Sequence, residues 1–391
     1  MARVIGKPET AVIAGTVAQM RGHGGLTWVL LQYLLGFKRL GWDVLFLDRL
    51  DPEMCVDAAG QPCPLDQSIN LDYLTRVMDR FGLGDSFSLS CGDQGSRAGL
   101  SREEVVARAT HAPLILNVMG VLTDREILDL PARRVFLDID PGFGQMWKEL
   151  GLADQFDGHD AYVTIGENIG RPECGVPTSG LEWITTPQPV VLDEWPAHNG
   201  GSGRFTTVAS WRGLNGPVEY GGRTYGLRVH EFRKFFEVPK RSGQQFDMAL
   251  DIHPNETRDL AALGEHGWSL TCPRAAAGDP WAYRAFIQGS SCEFAVAKNL
   301  YVDTASGWFS DRTICYLASG KPAVVQDTGL GELYPIGEGL LTFTTLDEAV
   351  AAVDEVAANY PRHARAAREI AEESFDSNKV LPRLLGKLGL A

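Results

Sequence analysis

A stretch in the last third of the chain combines small residues, a helix start and a cationic side chain. Between Ser306 and Thr313, small and aromatic residues lead into a predicted helix that begins near Asp311. Ser310 is a residue type that caps helix N-termini, and Arg312 falls in the first helical turn. A helix N-terminus with a nearby guanidinium group attracts phosphates, so the stretch predicts a diphosphate site. The alternative is an ordinary connection between helix and strand with no ligand.

A glycine-rich loop near the amino terminus is the second candidate. The loop Gly22-His23-Gly24-Gly25 follows a predicted strand and precedes a predicted helix. Glycines let backbone amides approach an anion closely, and a histidine is suited to general-base work near neutral pH. The spacing differs from the GxGxxG pattern of dinucleotide-binding proteins, so a nicotinamide site is not favoured. The alternative is a tight turn beside a structural or exposed histidine.

Three charged residues elsewhere have the chemistry of a sugar-phosphate site. If residues 290–298 form a loop and a short helix, Glu293 would accept hydrogen bonds from sugar hydroxyls and Lys298 would bind a phosphate. The alternative for this pair is two solvated surface charges. Asp140 follows a predicted strand and shares a face with Asp138, which suits an acceptor base or a hydroxyl clamp. The sequence Asp-Pro-Gly that begins at Asp140 is equally a turn signal.

Alternating strand-like and helix-like runs must position these residues. The predicted strands cover residues 11–17, 44–47, 113–118, 135–138, 162–165, 205–209, 246–252, 323–326 and 342–344. The predicted helices cover residues 26–40, 71–81, 228–236, 311–318, 346–359, 362–375 and 380–388. Because strand, helix and strand follow one another repeatedly, the pattern predicts an α/β fold with parallel sheets and helices on both faces.

A change of composition between residues 182 and 203, rich in proline and glycine, indicates a domain boundary. We therefore predict an N-terminal Rossmann-like domain over residues 1–190 and a second one over residues 191–365. Residues 366–391 form a helical tail that is expected to pack back on the first domain. Two doubly wound domains of this kind are expected to face a cleft, with ligands at the carboxyl ends of the strands.

Composition narrows the function classes. The chain has 391 residues and a net charge of −14, which argues against a general nucleic-acid or anionic-membrane binder. Its seven cysteines include no CxxC pair, so neither a disulfide framework nor a zinc site is expected. The densest acidic cluster lies on a predicted tail helix, where a solvated face is the simpler interpretation, and no metal site is expected. With no signal peptide and no apolar run of bilayer length, we expect a cytoplasmic protein without stable membrane insertion.

Several segments resemble the GT-B glycosyltransferase superfamily. Residues 318–329, Ala-Ser-Gly-Lys-Pro-Ala-Val-Val-Gln-Asp-Thr-Gly, look like its A-x-G-x-P-V-V … D-x-G segment, which lies in the domain that binds the nucleotide sugar. Gly24-Gly25, the following long helix and residues 41–44 resemble the opening of the same superfamily. Residues 208–213 look like the first strand of the second domain, which often ends with a phosphate-binding arginine, here Arg212. The resemblance implies two facing Rossmann-like domains, with residues 1–190 binding the acceptor and residues 191–365 binding the nucleotide-sugar donor.

One departure separates the chain from many retaining members of that superfamily. Those members carry two glutamates, separated by seven residues, just before the A-x-G-x-P segment. The corresponding residues here are Gly307 and Cys315, so the usual roles of the glutamates in holding the donor sugar and the ribose do not carry over. Residues 308–313 look more like a divergent branch related to the CgeB group, in which Asp311 or Arg312 would take over part of these contacts.

The resemblance implies a transferase that moves a sugar from a nucleoside-diphosphate sugar to an unknown acceptor, in a hexosyltransferase-type reaction without a further cofactor. His23 and Asp140 are the candidate bases if the reaction inverts. The expected donor-binding residues are Gly24, Gly25, Trp211, Arg212, Glu293, Lys298, Ser306, Gly307, Trp308, Phe309, Ser310, Asp311, Arg312 and Thr313. In this scheme basic residues and a helix dipole, and no metal ion, stabilise the leaving diphosphate.

Two alternatives remain at this point. The first is another nucleotide-sugar enzyme on the same fold, such as an epimerase; a phosphorylase would need a lysine for pyridoxal phosphate in a recognisable setting, which the sequence does not show. The second is a glycosyltransferase-like protein that has lost catalysis and acts as a binding partner. The missing glutamates favour this second alternative, whereas the basic residues and glycine loops favour the transferase.

Overall fold

The computed structural model describes residues 8–92, 95–198, 200–213 and 215–390, and it divides into two compact units. In the described part, unit 1 contains the chain up to Ile139, Gln155–Val163 and the carboxyl-terminal segment from Leu381 onward. Unit 2 contains Asp140–Asp154 and Thr164–Val380. The chain therefore changes unit at residues 139/140, 154/155, 163/164 and 380/381, whereas the sequence-based division at 190/191 followed the proline-rich stretch.

The first sheet has eight strands in the order β4-β3-β2-β1-β5-β6-β7-β8. These strands are β1 (Thr10–Ala14), β2 (Asp43–Leu50), β3 (Phe87–Cys91), β4 (Arg97–Gly99), β5 (Leu114–Val118), β6 (Arg133–Asp138), β7 (Ala161–Thr164) and β8 (Trp183–Thr185). The central pairs β1–β2, β1–β5, β2–β3 and β5–β6 are parallel, and β4 runs antiparallel to β3.

The second sheet has six strands in the order β13-β12-β9-β14-β15-β16, and all of its pairs are parallel. Its strands, with the separate antiparallel hairpin β10–β11, are β9 (Arg204–Ser210), β10 (Val218–Tyr220), β11 (Arg223–Tyr225), β12 (Gln245–Asp251), β13 (Trp268–Thr271), β14 (Cys292–Ala295), β15 (Ala323–Gln326) and β16 (Leu340–Phe343).

Helices connect the strands of both sheets and close the chain. They are α1 (Gly24–Arg39), α2 (Ile69–Arg80), α3 (Arg102–Ala109), α4 (Arg125–Leu128), α5 (Phe143–Glu149), α6 (Arg228–Phe232), α7 (Val238–Ser242), α8 (Thr257–Glu265), α9 (Pro273–Ala277), α10 (Pro280–Gly289), α11 (Asn299–Asp303), α12 (Asp311–Ala318), α13 (Leu346–Ala358), α14 (Tyr360–Ile370) and α15 (Ser377–Lys387). No helix of the described residues is both long and apolar enough to cross a bilayer.

The predicted α/β class with two parallel sheets and a helical carboxyl-terminal region is confirmed. The structure forms α12 and β15 with the predicted bounds, because a capping Ser310 and a terminal Ser-Gly-Lys-Pro turn delimit the helix in the sequence itself. The capping box predicted at Thr345 and Glu348 is present at the start of α13.

Each unit has its own apolar core. In unit 1, alternate residues of β1, β2 and β5 pack against α3 and α4, as Val12, Leu45 and Ile115 show. In unit 2, aromatic residues dominate the core, and the rings of Phe294 on β14 and Phe343 on β16 stack with their centroids 5.1 Å apart. Large buried rings of this kind contribute much of the apolar burial that stabilises a domain.

The loop between β1 and α1 is held by a buried carboxylate from the neighbouring strand. Asp48 on β2 is 5% exposed, and one of its oxygens accepts hydrogen bonds from the backbone N–H groups of Val17 and Ala18 at 2.7 and 2.6 Å. Its other oxygen accepts from the Arg49 N–H at 2.7 Å. Burial raises the pKa of Asp48 from 3.8 to about 7, although these backbone hydrogen bonds lower it.

The raised pKa of Asp48 predicts a pH dependence of stability. The folded state binds this proton more tightly than the unfolded chain, so the stabilisation is complete below about pH 4 and is lost as the pH rises through about 7. Between pH 5 and pH 8 the free energy of unfolding should fall by about 2 kcal/mol from this group. In the Asp48→Asn variant this contribution should be absent, so its free energy of unfolding should fall less between pH 5 and pH 8. Urea unfolding at the two pH values measures the difference.

Asp66→Asn is the matched control, because Asp66 is an exposed carboxylate of the same unit. This variant should keep the pH dependence of the wild type. An equal fall in the wild type and in Asp48→Asn would mean that Asp48 is ionised in the folded state throughout this range.

Candidate functional site

A small pocket lies at the carboxyl ends of β14 and β15 in unit 2. Its lining residues are Ala295, Val296, Ala297, Trp308, Phe309, Ser310, Arg312, Thr313, Val325, Gln326, Thr328 and Leu330. The structure therefore brings together several of the predicted donor-binding residues, namely Trp308, Phe309, Ser310, Arg312 and Thr313, along one wall. The carboxyl ends of parallel strands are the usual place for ligands in α/β folds.

The segment that leads into α12 is fixed on both sides of this pocket. The Ser310 hydroxyl caps the helix by accepting the Arg312 N–H at 3.3 Å. Thr328, which follows β15, donates its hydroxyl to the Trp308 carbonyl at 2.7 Å and accepts the Gly307 N–H on its own carbonyl at 2.7 Å. A helix N-terminus held in this way offers its partial positive charge to an anion without reorganisation.

Asp311 begins α12 directly beside this cap. Burial raises the pKa of the Asp311 carboxyl above its ordinary value, although Arg312 lowers it. The predicted role of Asp311 in donor binding stays a prediction.

A buried ion pair anchors α12 to the sheet. Arg312 Nε donates to Glu293 Oε1 at 2.5 Å, and its Nη1 donates to the Val208 carbonyl of β9 at 2.8 Å. The Glu293 side chain is 0% exposed and that of Arg312 is 10% exposed. Burial alone would lower the pKa of Arg312, but the Glu293 carboxylate raises it above its ordinary value.

The expectation that Glu293 lies in a loop was wrong, because Glu293 is part of β14. Its carboxylate is enclosed and turned to Arg312, and among the described residues its Oε2 has no hydrogen-bond partner. In this position it holds the guanidinium in place and has no surface for a sugar hydroxyl. The alternative interpretation of Glu293 and Lys298 as two solvated surface charges is also wrong, because their side chains are 0% and 11% exposed.

A second polar cluster joins two residues that the sequence analysis considered separately. Lys298 Nζ lies 3.0 Å from both carboxylate oxygens of Asp140, and Asn215 Nδ2 donates to the same carboxylate at 3.1 Å. The Tyr301 hydroxyl donates to it as well. Burial lowers the pKa of Lys298, although Asp140 raises it. The candidate base and the candidate phosphate ligand are therefore partners in unit 2.

Aromatic rings connect this cluster to the pocket. The ring of Tyr301 stacks on that of Trp308 with centroids 4.2 Å apart and an angle of 16° between the planes. Lys298 Nζ lies 4.9 Å from the centroid of Phe143 on α5. It also lies 5.4 Å from the centroid of Tyr301, so two aromatic rings attract the ammonium group.

Arg228, which begins α6, is a residue that the sequence analysis missed. Its Nη1 donates to the carbonyl of Ser210 at the end of β9, at 3.3 Å. Its Nε is buried without a hydrogen-bond partner, and no carboxylate forms an ion pair with it, in the part of the chain that the structure describes. Burial and, to a lesser extent, the nearby Arg312 together lower the pKa of Arg228 to about 10, although Asp140 raises it. The sequence contains no signal for this residue, since only the fold brings it near β9.

Two neighbouring predicted residues have different surroundings. Trp211 is 2% exposed, its indole N–H donates to Asp259 at 2.9 Å, and its ring packs between Phe232 and Phe236. This placement leaves Trp211 no open face for a base or a sugar, so we do not carry it into the proposed site. Arg212 is largely exposed and pairs with Glu256 at 2.5 Å.

The fold constrains Gly307 and Cys315, the residues at the positions where many retaining GT-B members carry glutamates. Gly307 has φ of +69°, and a Cβ atom there would lie 2.7 Å from the backbone nitrogen of Asn168. A glutamate therefore does not fit at position 307 in this backbone. Cys315 is buried on α12, and Ser306 is fully buried beside Gly307.

The remaining predicted residues belong to unit 1. His23 is exposed, immediately precedes α1, and has its Nδ1 3.2 Å from the Met20 carbonyl oxygen. Gly24 and Gly25 form the first turn of α1, with Gly24 buried. Their predicted role toward a diphosphate stays a prediction. Among the described residues, no group of three His, Cys, Asp or Glu side chains is arranged to hold a metal ion.

The buried ion pair of Arg312 and Glu293 predicts that a single substitution lowers the stability of the fold strongly. Arg312→Ala leaves the Glu293 carboxylate buried without its partner, so the free energy of unfolding should fall by about 3–5 kcal/mol. Urea unfolding measures this loss. Arg241→Ala, which breaks the exposed pair with Asp347, should cost less than about 1 kcal/mol.

The double variant Glu293→Leu with Arg312→Met removes both charges and should be less destabilised than Arg312→Ala alone. If the double variant is destabilised by more than the single variant, the stabilising contribution of Arg312 is packing and not charge pairing.

No protein-family model matches the sequence, and no curated protein matches it significantly. Solved structures do match. An alpha-glucosyltransferase (AGT) in complex with UDP aligns with 98% of this chain and 100% of its own, with 10% sequence identity and a TM-score of 0.57. Anabaena Alr3699/HepE in complex with UDP and glucose aligns with 98% of this chain and 100% of its own, with 11% identity and a TM-score of 0.53.

AviGT4, a glycosyltransferase involved in avilamycin A biosynthesis, covers 97% of both chains with 13% identity and a TM-score of 0.51. At these identities the likeness concerns the fold, and it extends over nearly the whole of each chain. The resemblance seen in the sequence is confirmed at the level of the fold: the chain has a GT-B fold like that of these glycosyltransferases.

Proposed function

We propose that this protein is a glycosyltransferase that uses a nucleoside-diphosphate sugar as donor. The observation that carries the proposal is the capped N-terminus of α12, with the half-buried cation Arg228 and the cluster of Lys298 in the same unit. The GT-B fold supports it, and two of the similar structures contain UDP. We therefore propose UDP as the nucleotide to test first.

In this proposal the second unit binds the donor. The N-terminus of α12 and the cations Arg228 and Lys298 attract the diphosphate, while Trp308 offers a partly exposed ring beside them. Arg312 keeps its predicted place in the site, but it acts by holding α12 on Glu293. Arg212 is a further cation that reaches a phosphate only by leaving Glu256.

The proposed reaction breaks the bond between the anomeric carbon of the sugar and the diphosphate oxygen, and an acceptor oxygen takes the place of the diphosphate. Negative charge develops on the leaving diphosphate, so fixed positive charge and helix N–H groups are the main source of rate acceleration. We propose that this stabilisation needs no divalent metal ion. If the reaction inverts, the acceptor proton passes to His23 or Asp140.

A second candidate function is a glycosyltransferase-like protein that binds nucleotides or partners without catalysis. The specific observation in its favour is the backbone at Gly307, which excludes a glutamate at that position. Turnover separates the two candidates: the transferase releases the nucleoside diphosphate from its donor sugar, whereas the binding protein leaves the donor intact.

Nucleotide binding predicts thermal stabilisation of the full chain. A ligand at about 100 times its dissociation constant stabilises the folded state by about 2.7 kcal/mol, which raises the melting temperature by several degrees. We expect UDP to give a larger shift than dTDP, GDP, ADP or CDP in a thermal-shift titration. Absence of a shift with every nucleotide would contradict the donor site.

The unpaired guanidinium predicts which substitution weakens binding. Arg228→Gln removes a buried positive charge without leaving a partner carboxylate, so the affinity for UDP should fall at least 10-fold while the fold is kept. Isothermal titration with UDP measures this loss. Arg365→Gln, an exposed arginine on α14, is the control and should bind UDP like the wild type. Unchanged affinity in Arg228→Gln would remove Arg228 from the site.

A further inference from the structure

Unit 1 contains a larger pocket that the proposed donor site does not use. It measures about 230 Å³ and is lined by Ala14, Gly15, Thr16, Gln19, Leu47, Asp48, Arg49, Asp51, Val121, Leu122 and Thr123. It lies at the carboxyl ends of β1 and β2 and beside the turn that follows β5. We propose that this pocket binds a monosaccharide-sized polyhydroxylated ligand, which, if the proposed function is right, is the acceptor of the sugar.

The volume of the pocket limits the size of the ligand. At about 30 Å³ for each water molecule, 230 Å³ corresponds to about eight waters. Pockets for drug-sized ligands are usually larger, from about 300 Å³ upward. The pocket therefore encloses one sugar-like ring, and any further part of the ligand lies outside it.

The lining has the mixture of groups that hydroxyls require. Thr16 and Thr123 have hydroxyl groups and Gln19 has an amide, so the wall both donates and accepts hydrogen bonds. Hydroxyl groups of a ligand also donate and accept. The apolar side chains of Leu47 and Val121 offer a surface for the C–H face of a ring.

The charges and ring types of the lining argue against other ligand classes. Arg49 is the single cation of the lining among the described residues, and it already pairs with Asp51 at 3.2 Å. The lining therefore offers an anionic ligand no uncompensated positive charge. No aromatic side chain belongs to the lining among the described residues, so a planar base has nothing to stack on.

The wall is organised before a ligand arrives. Asp48 fixes the backbone at Val17 and Ala18, between Thr16 and Gln19, and the Gln19 amide donates to the Arg49 carbonyl at 3.3 Å. A loop fixed in this way loses little conformational freedom on binding, which favours affinity for a small ligand.

The experiment uses the full chain and four neutral probes: the methyl α-glycosides of glucose, galactose and mannose, and myo-inositol. Ligand-observed NMR measures their dissociation constants. We expect at least one probe to bind, and we expect Thr123→Trp, which places an indole at the exposed edge of the pocket, to weaken it at least 10-fold. Thr110→Trp, at an exposed threonine outside the pocket, should bind the probe like the wild type.

Gln19→Ala is the second variant, since it removes an amide from the wall without adding bulk, and it should weaken the same probe at least 3-fold. Inorganic phosphate and adenosine should not compete with the probe. Absence of binding by all four probes, or equal binding in the wild type and Thr123→Trp, would overturn the inference.

Binding of UDP, measured on the same samples, separates this inference from the proposed function. Thr123→Trp should bind UDP like the wild type, because the donor pocket lies in unit 2. If the probes bind and UDP does not, the proposed donor use fails and the unit 1 pocket stands. If UDP binds and the probes do not, the donor site stands and the pocket assignment fails.

Discussion

The candidate donor site depends on the ion pair between Arg312 and Glu293. Glu293 is part of β14, Arg312 also bonds to the Val208 carbonyl of β9, and Arg312 lies in the first turn of α12. One guanidinium therefore ties a helix N-terminus to two central strands. Removing the charges from water is costly, and the close geometry of the pair offsets this cost only while both partners are present. The position of α12 at the pocket, and with it the orientation of the helix dipole, follows from this contact.

The same unit distributes its other buried charges unequally. Lys298 is matched by Asp140, whose carboxylate also accepts hydrogen bonds from Tyr301 and Asn215. Arg312 is matched by Glu293, whereas Arg228 has no carboxylate partner among the described ion pairs. A half-buried cation without a carboxylate partner is costly in the free protein, and burial accordingly lowers the pKa of Arg228. An anion that binds beside Arg228 removes this cost, because it supplies the missing negative charge. The free energy that is gained in this way contributes to the affinity for the anion.

The sequence predicted those elements whose ends are marked by local chemistry. Ser310 and the Ser-Gly-Lys-Pro turn delimit α12, and the apolar run of β15 follows directly, so both were predicted with the observed bounds. The sequence analysis considered Glu293 in a loop followed by a short helix, whereas it lies in a central strand and pairs there with Arg312, 19 residues further along the chain. The contact of Asp140 with Lys298 joins residues 158 positions apart, a distance that periodicity cannot cover. Arg228 was missed for the same reason, since its surroundings are built by β9 and not by its own segment.

The absence of a glutamate at position 307 is explained by the packing of a different segment against Gly307. Residues 166–168 lie against residues 306–308, and the Asn168 amide donates to the carbonyls of Ala305 and Gly329 at 3.0 and 2.9 Å. This amide therefore holds the segments at Ala305 and Gly329 together. Atoms of Asn168 also occupy the space that a side chain at position 307 would need. At position 307 this chain therefore has a tight backbone turn, where many retaining GT-B members have a glutamate. In the proposed function, such a site binds the donor through cations and helix N–H groups, in agreement with the half-buried charge at Arg228 and with the capped start of α12.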